Sequence, residues 1–324
     1  MKRFTRIIAA VAAATTLTLG AAACGSGTGG TATEGGGAES GTEGGGDYTV
    51  ALLVSTLNNP FFVDLRDGAQ EAADAAGVKL EVSDAQNDSI TQANQAQDAV
   101  SKGYDAVLIN PVDSDAAGTM VAALVAAGIP VISVDRTVEG AEVDSHVASN
   151  NVAGGEQAAA ALAAAMGDAG EAIVLQGVPG TSASRDRGEG FDTGIAAFAD
   201  ITVAAKQTAN FDRNEGLDVA TNLIQANPGV TGIFAENDEM ALGAVQALGS
   251  RAGTDVMVFG FDGTDDALKA IVEGTLVGTI AQQPKLLGQT ALDTAVSILN
   301  GESVDKVVDV PVTTVTAENV ADFQ

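Results

Sequence analysis

Residues 48–76 read YTVALLVSTLNNPFFVDLRDGAQEAADAA, and this stretch holds the unit from which the chain is built. Tyr48–Ser55 is an unbroken apolar run, the pattern of a strand buried on both faces of a parallel sheet. Asn59 then supplies a capping side chain, and Pro60 suits the first position of a helix. From Phe61 to Ala76 apolar residues return at helical spacing. Strand and helix alternate again through VKLEVSD (78–84), Ser89–Lys102, DAVLIN (105–110), Ser114–Ala127 and PVISVD (130–135). Past Asn150 the strands EAIVLQG (171–177), ITVAAKQ (201–207), VTGIFAE (230–236), DVMVFGFDG (255–263) and LVGTIAQ (276–282) follow, with helices such as Glu215–Ala226 and Glu239–Leu248. Such alternation predicts a doubly wound α/β fold, and 324 residues are enough for two Rossmann-like lobes of about 100–150 residues each.

The bulk chemistry narrows the function. With 43 acids against 15 bases, a formal charge of −28, the chain cannot assemble a basic face for nucleic acid. One cysteine, Cys24, excludes an intrachain disulfide, and one histidine, His146, limits metal chemistry; it reads as structural. No cofactor is expected. Ser182 and Ser184 have no histidine near them in sequence, and GTSAS is not a nucleophile elbow. The glycines of GVPG and GFDG match neither a phosphate loop nor a dinucleotide fingerprint. No catalytic constellation emerges, so the chain does not read as an enzyme.

The N-terminus reads as an export signal over residues 1–23: Lys2, Arg3 and Arg6 precede a short apolar stretch, Ile7–Leu19, too short to span a bilayer. LGAAAC then resembles a bacterial lipobox, with Ala21 where such boxes usually carry Leu, and makes Cys24 the expected lipidated first residue. Residues 25–46 are almost wholly Gly, Ser, Thr, Ala and Glu, a composition that buries nothing and suits a flexible tether. The expected product is exported and held by lipid on the outer face of the membrane.

Polar and aromatic residues gather where the predicted strands end, the rim on which open α/β sheets hold ligands. The segments are LNNPFF (57–62), LINP (108–111), SVDR (133–136), SRDRGEGF (184–191), ANFDR (209–213), AENDEM (235–240), GFDG (260–263) and IAQQP (280–284). Planar forks of Asn, Gln, Asp and Arg both donate to and accept from hydroxyls, while flat aromatic rings cover the C–H faces of a sugar. Paired Asp and Arg leave no net charge facing an uncharged ligand.

Taken as a set, VSTLNNPFF, INPVDSDA, SVDR, GTSASRDRGEGF, NFDR, NDEMALGA and GFDGT resemble the bacterial ribose-binding proteins of the periplasmic-binding-protein superfamily, from Tyr48 to about Val315. The resemblance implies two lobes joined by a three-strand hinge, one formed by 47–149 plus 283–311 and the other by 150–282 plus 312–324. It implies a monosaccharide, D-ribose first, held by Asn59, Phe61, Phe62, Asn110, Asp135 and Arg136 from the first lobe. Arg187, Phe211, Asn237, Asp262 and Gln282 complete the set, with Phe61 and Phe211 on the two faces of the sugar ring. Phe261 is expected to support them. A monomer is implied, delivering sugar to an ABC permease driven by a separate ATPase.

Other readings stand beside this one. Asn59, Asn237, Asp262 and Gln282 also suit helix caps, the phenylalanines also suit a core, and Asp135–Arg136 also suits a surface ion pair. Arg187 has Asp186 and Glu189 nearby as partners. A repressor of the lactose-repressor type shares the core architecture but begins with a DNA-binding helix pair, where this chain has an export signal and a Gly-rich stretch. A secreted sugar-modifying enzyme would need paired carboxylates or a nucleophile in the cleft. Allose and xylose are the nearest alternative ligands.

Overall fold

The computed structural model describes residues 47–323; the expected signal, Cys24 and the tether lie outside the described residues. The chain first lays down β1 (Thr49–Val54), α1 (Pro60–Ala76), β2 (Lys79–Asp84), α2 (Ser89–Lys102), β3 (Ala106–Ile109), α3 (Gly118–Ala126), β4 (Val131–Val134) and β5 (Ser145–Ser149). A second series comprises α4 (Asn151–Ala165), β6 (Gly170–Gln176), α5 (Ser182–Ile195), β7 (Ile201–Thr208), α6 (Arg213–Ala226) and β8 (Val230–Ala235). It continues with α7 (Asp238–Leu248), β9 (Met257–Asp262), α8 (Asp265–Val272) and β10 (Gly278–Ala281). The chain then returns through α9 (Pro284–Leu299) and β11 (Val307–Val310) and ends in β12 (Thr313–Thr316).

Two six-stranded sheets result, ordered β2-β1-β3-β4-β5-β11 and β7-β6-β8-β9-β10-β12. The first is parallel throughout, and in the second only β12 runs antiparallel, against β10. The chain passes between the sheets three times: after β5, after β10, and between β11 and β12. These crossings make the three-strand hinge that the resemblance implies.

Each sheet is covered on both faces, which is why its strands read as apolar runs. On β1, Val50, Leu52 and Val54 face the layer that includes Leu65 of α1 and Leu287 of α9. Ala51 and Leu53 face the other way, against Ala96 of α2 and Leu124 of α3. In the second sheet Ile173 and Leu175 face α6, α7 and α8, while Ala172 and Val174 face α4 and α5. Helix pairs approach through glycine. A Cβ on Gly155 of α4 would lie 2.3 Å from the Arg187 carbonyl, and one on Gly190 of α5 2.0 Å from that of Val152.

The structure differs from the sequence reading in two places. Helix α3 begins at Gly118 rather than Ser114, because 114–117 form a turn fastened by Asp113, whose Oδ1 accepts from Asp115 N at 2.8 Å and Ala116 N at 3.0 Å. Strands β5, β11 and β12 carry no long apolar run, since β11 and β12 are short edge strands with partly exposed residues.

Candidate functional site

The strand-to-helix loops of the two sheets face each other across a narrow pocket. Nine of the eleven expected ligand residues line it: Asn59, Phe61, Phe62, Asp135, Arg136, Arg187, Phe211, Asn237 and Asp262, joined by Ala183. The other two, Asn110 and Gln282, stand directly behind the aspartates. Asn110 Nδ2 donates to Asp135 Oδ2 at 3.0 Å, and Gln282 Nε2 donates to Asp262 Oδ1 at 2.8 Å.

Local sequence explains where the side chains sit. Asn59 is the N-cap of α1, its Oδ1 accepting from Phe61 N at 2.9 Å, which sets Phe61 and Phe62 on the first turn. The two rings meet edge to face, with centroids 5.2 Å apart. Asn237 caps α7 through Met240 N and donates to the Phe211 carbonyl at 3.3 Å. Capping and pocket lining are therefore compatible in both asparagines: the cap orients the side chain that lines the void.

Three lining residues hold positive φ although none is glycine: Asp135 at 66°, Phe211 at 59° and Asp262 at 129°. Such backbone persists where surrounding contacts over-determine it, commonly at ligand sites. Both arginines are buried and tied to main chain. Arg136 Nη1 donates to the Pro111 carbonyl at 2.8 Å, and its Nε lies 3.7 Å from Asp135 Oδ2. Arg187 donates from Nε to Asn151 Oδ1 at 2.9 Å and from Nη1 to the Glu236 carbonyl at 2.6 Å, with Asp262 Oδ1 at 3.4 Å. The Arg187 guanidinium carbon sits over Phe261, 3.9 Å from the ring centroid, so Phe261 backs the arginine. The Phe211 ring has Arg136 at 5.6 Å and Arg187 at 5.8 Å.

Several polar groups remain unspent. Neither arginine's Nη2 makes a hydrogen bond among the described residues. Arg136 Nε and Gln282 Oε1 are buried without a hydrogen-bond partner among the described residues. A buried polar atom left unpaired costs about 1–3 kcal/mol; one of the two belongs to Arg136 in the pocket lining, the other to Gln282 in the layer behind it.

A family model described as the periplasmic binding protein domain matches residues 50–303. The chain belongs to the periplasmic binding proteins. Similar curated proteins include the ribose import binding protein of Bacillus subtilis (strain 168), 47% identical over 82% of this chain and 86% of that one. The ribose import binding protein of Escherichia coli (strain K12) is 50% identical over 79% of this chain and 86% of its own length. Among solved structures, an ABC transporter periplasmic solute binding protein of Actinobacillus succinogenes 130z, with bound D-allose, superposes with a TM-score of 0.80 at 32% identity. That match covers 85% of this chain and 99% of the other.

Beneath the lining of this periplasmic binding protein lies a layer that the sequence reading missed. Gln92 of α2 is fully buried and clasps the Asn110 loop, donating to the Asn110 carbonyl at 2.9 Å and accepting from Val112 N at 2.9 Å. Asp238 accepts from Gly263 N and Thr264 N at 2.8 Å and from Thr279 Oγ1 at 2.7 Å, fixing the loop after Asp262. Glu236 accepts from Gly177 N at 2.7 Å and from Ser184 Oγ. Its only advance signal was a position beside Asn237. Burial pushes Glu236 from 4.5 up to about 7 and Asp238 from 3.8 up to about 6, against the pull of their hydrogen bonds. Burial also raises Asp262, while Arg187 pulls it down. Burial lowers Arg136, and Asp135 offsets part of this. His146 sits in β5 with Nδ1 2.8 Å from Ser133 Oγ.

One part of the cleft rim is closed by direct contact between the lobes. Ser114 N donates to the Gly180 carbonyl at 3.0 Å, Ser182 N to Ser114 Oγ at 3.1 Å, and Thr137 N to Ser182 Oγ at 2.9 Å. Arg185 Nη2 adds Glu139 Oε1 at 3.2 Å. This seam also explains the late start of α3, because Ser114 is bonded to the opposite lobe.

Proposed function

We propose that the protein is the extracytoplasmic sugar-capturing component of an ABC importer, and that its ligand is D-ribose. The observation that carries this reading is the pocket lining itself: Phe61, Phe62 and Phe211 stand beside Asn59, Asn237 and the Asp–Arg pairs Asp135–Arg136 and Arg187–Asp262. Hydroxyls both donate and accept, so they can meet the guanidinium donors and the carboxylate and amide acceptors of this lining. Phe61 and Phe211 would cover the two faces of the pyranose, with Phe62 closing the apolar wall. The paired Asp135–Arg136 and Arg187–Asp262 suit an uncharged ligand, since neither charge is left buried alone.

Ribose is preferred over allose or xylose because the ribose import binding proteins, at 47% and 50% identity, stand above the allose-bound structure at 32%. The moving bodies are 47–149 with 283–311 and 150–282 with 312–324. Sugar bridging them favours closure, and the closed monomer docks on a membrane permease. Lipid on Cys24 and the Gly-rich stretch after it would hold the protein at the outer face of the membrane.

A thermal-shift panel of aldoses and polyols tests the ligand. A ligand at a hundred times its Kd stabilises the native state by about 2.7 kcal/mol, and ribose should give the largest shift of the panel. A larger shift with allose or xylose would keep the role and change the sugar. Inertness to every sugar would remove both.

A further inference from the structure

We propose that Gly177, which follows the last residue of β6, is a positioning residue for the second-lobe aromatic face: its missing side chain is the slot that holds the Phe211 ring. The proposal rests on the sugar-binding reading above and adds a residue to it. A Cβ on Gly177 would lie 2.0 Å from Phe211 Cζ, 2.3 Å from Cε1 and 2.4 Å from Cε2. Contacts this short cannot persist, so with any side chain at 177 the ring leaves its place.

The peptide units around Gly177 are held so that a shift of the strand end does not relieve the clash. Its N–H donates to Glu236 Oε2 at 2.7 Å, and its carbonyl accepts from Thr208 Oγ1 at 2.6 Å. The ring is constrained from the other side as well. Asn210 and Phe211 hold φ of 53° and 59°, a turn tied down by Ala209 N to the Gln176 carbonyl at 2.8 Å and by Asn237 Nδ2 to the Phe211 carbonyl. Gly177 itself lies outside the left-handed region, so alanine there meets the ring and not its own backbone.

The test is a double-mutant cycle of wild type, Gly177→Ala, Phe211→Ala and the double variant. Ribose titration and sugar-free thermal unfolding are read for all four. A residue that acts only through the ring gives strong non-additivity. Gly177→Ala and Phe211→Ala should each weaken ribose binding roughly tenfold, and the double variant should bind no more weakly than Phe211→Ala alone. If Gly177→Ala fails to fold, removal of the ring in the double variant should restore folding to the level of Phe211→Ala. Additive losses, wild-type affinity in Gly177→Ala, or a double variant that also fails to fold while Phe211→Ala folds would each overturn the proposal. The unfolding arm needs no sugar, so a failure of ribose to bind wild type would strike the ligand assignment and leave this test readable.

Discussion

The two halves of the cleft are built from the same parts but wired differently. Each offers an aspartate at a strand end, an amide behind it, an arginine beside it and an asparagine capping a helix. In the first lobe these are Asp135, Asn110, Arg136 and Asn59, and the arginine is the next residue in the chain. In the second they are Asp262, Gln282, Arg187 and Asn237, and the arginine arrives from α5, 75 residues before its aspartate. Behind the second half lie two further buried acids, Glu236 and Asp238, whereas behind the first lies neutral Gln92. The first half is therefore mostly loop geometry. The second is an electrostatic assembly in which Arg187 is the buried cation beside Asp262, joining α4, α5 and the ends of β8 and β9.

The largest expected difference follows from that asymmetry. From sequence, Arg187→Ala is expected to weaken sugar binding without disturbing the sugar-free fold. The structure makes Arg187 structural too, because its loss strands buried Asp262 near Asp238. Breaking a buried pair from one side costs roughly 3–5 kcal/mol, so Arg187→Ala should lower urea stability strongly without sugar. Arg136→Ala should cost less, roughly 1–3 kcal/mol, since its ion pair with Asp135 is the longer one, 3.7 Å against 3.4 Å. Equal losses in the two variants would break the comparison.

The next effect concerns pH. Glu236 is raised in the folded protein, so the native state keeps a proton that the unfolded chain releases. Stability from this group then falls as pH rises from about 4.5, and the loss is complete above about 7. Glu236→Gln cannot ionise. It should gain on wild type as pH goes from 5 to 8, by roughly 3 kcal/mol at most. Unfolding curves at the two pH values measure this, and a parallel dependence in both proteins would show that Glu236 does not carry it.

The smallest effect belongs to the seam. Ser182→Ala removes the acceptor of Thr137 N, a bond worth about 0.5–1.5 kcal/mol, and should weaken ribose binding severalfold while the sugar-free melting point stays nearly constant. Glu139→Gln, in a half-exposed ion pair with Arg185, should change affinity still less. Wild-type affinity in Ser182→Ala would place the seam outside the closing motion.

The sequence by itself determined the alternation of strand and helix, the rim on which ligand groups gather, and the identity of nearly all the side chains that meet there. The first two rest on short-range physics, apolar runs where strands are buried on both faces and caps such as Asn59 and Asn237 where helices begin, and the third on the resemblance to the ribose-binding proteins. Strands β5, β11 and β12 were not legible: β11 and β12 are short edge strands, and β5, though flanked by β4 and β11, is a five-residue SHVAS stretch with no apolar run. Only the tertiary structure decided that Asn110 and Gln282 stand behind the lining, that Arg187 binds Asn151 and Glu236 rather than Asp186 or Glu189, and that Gly177 makes room for Phe211. Those relations join residues 20 to 49 positions apart through sheet register and helix packing. No local periodicity encodes them, because they exist only once the strands are side by side.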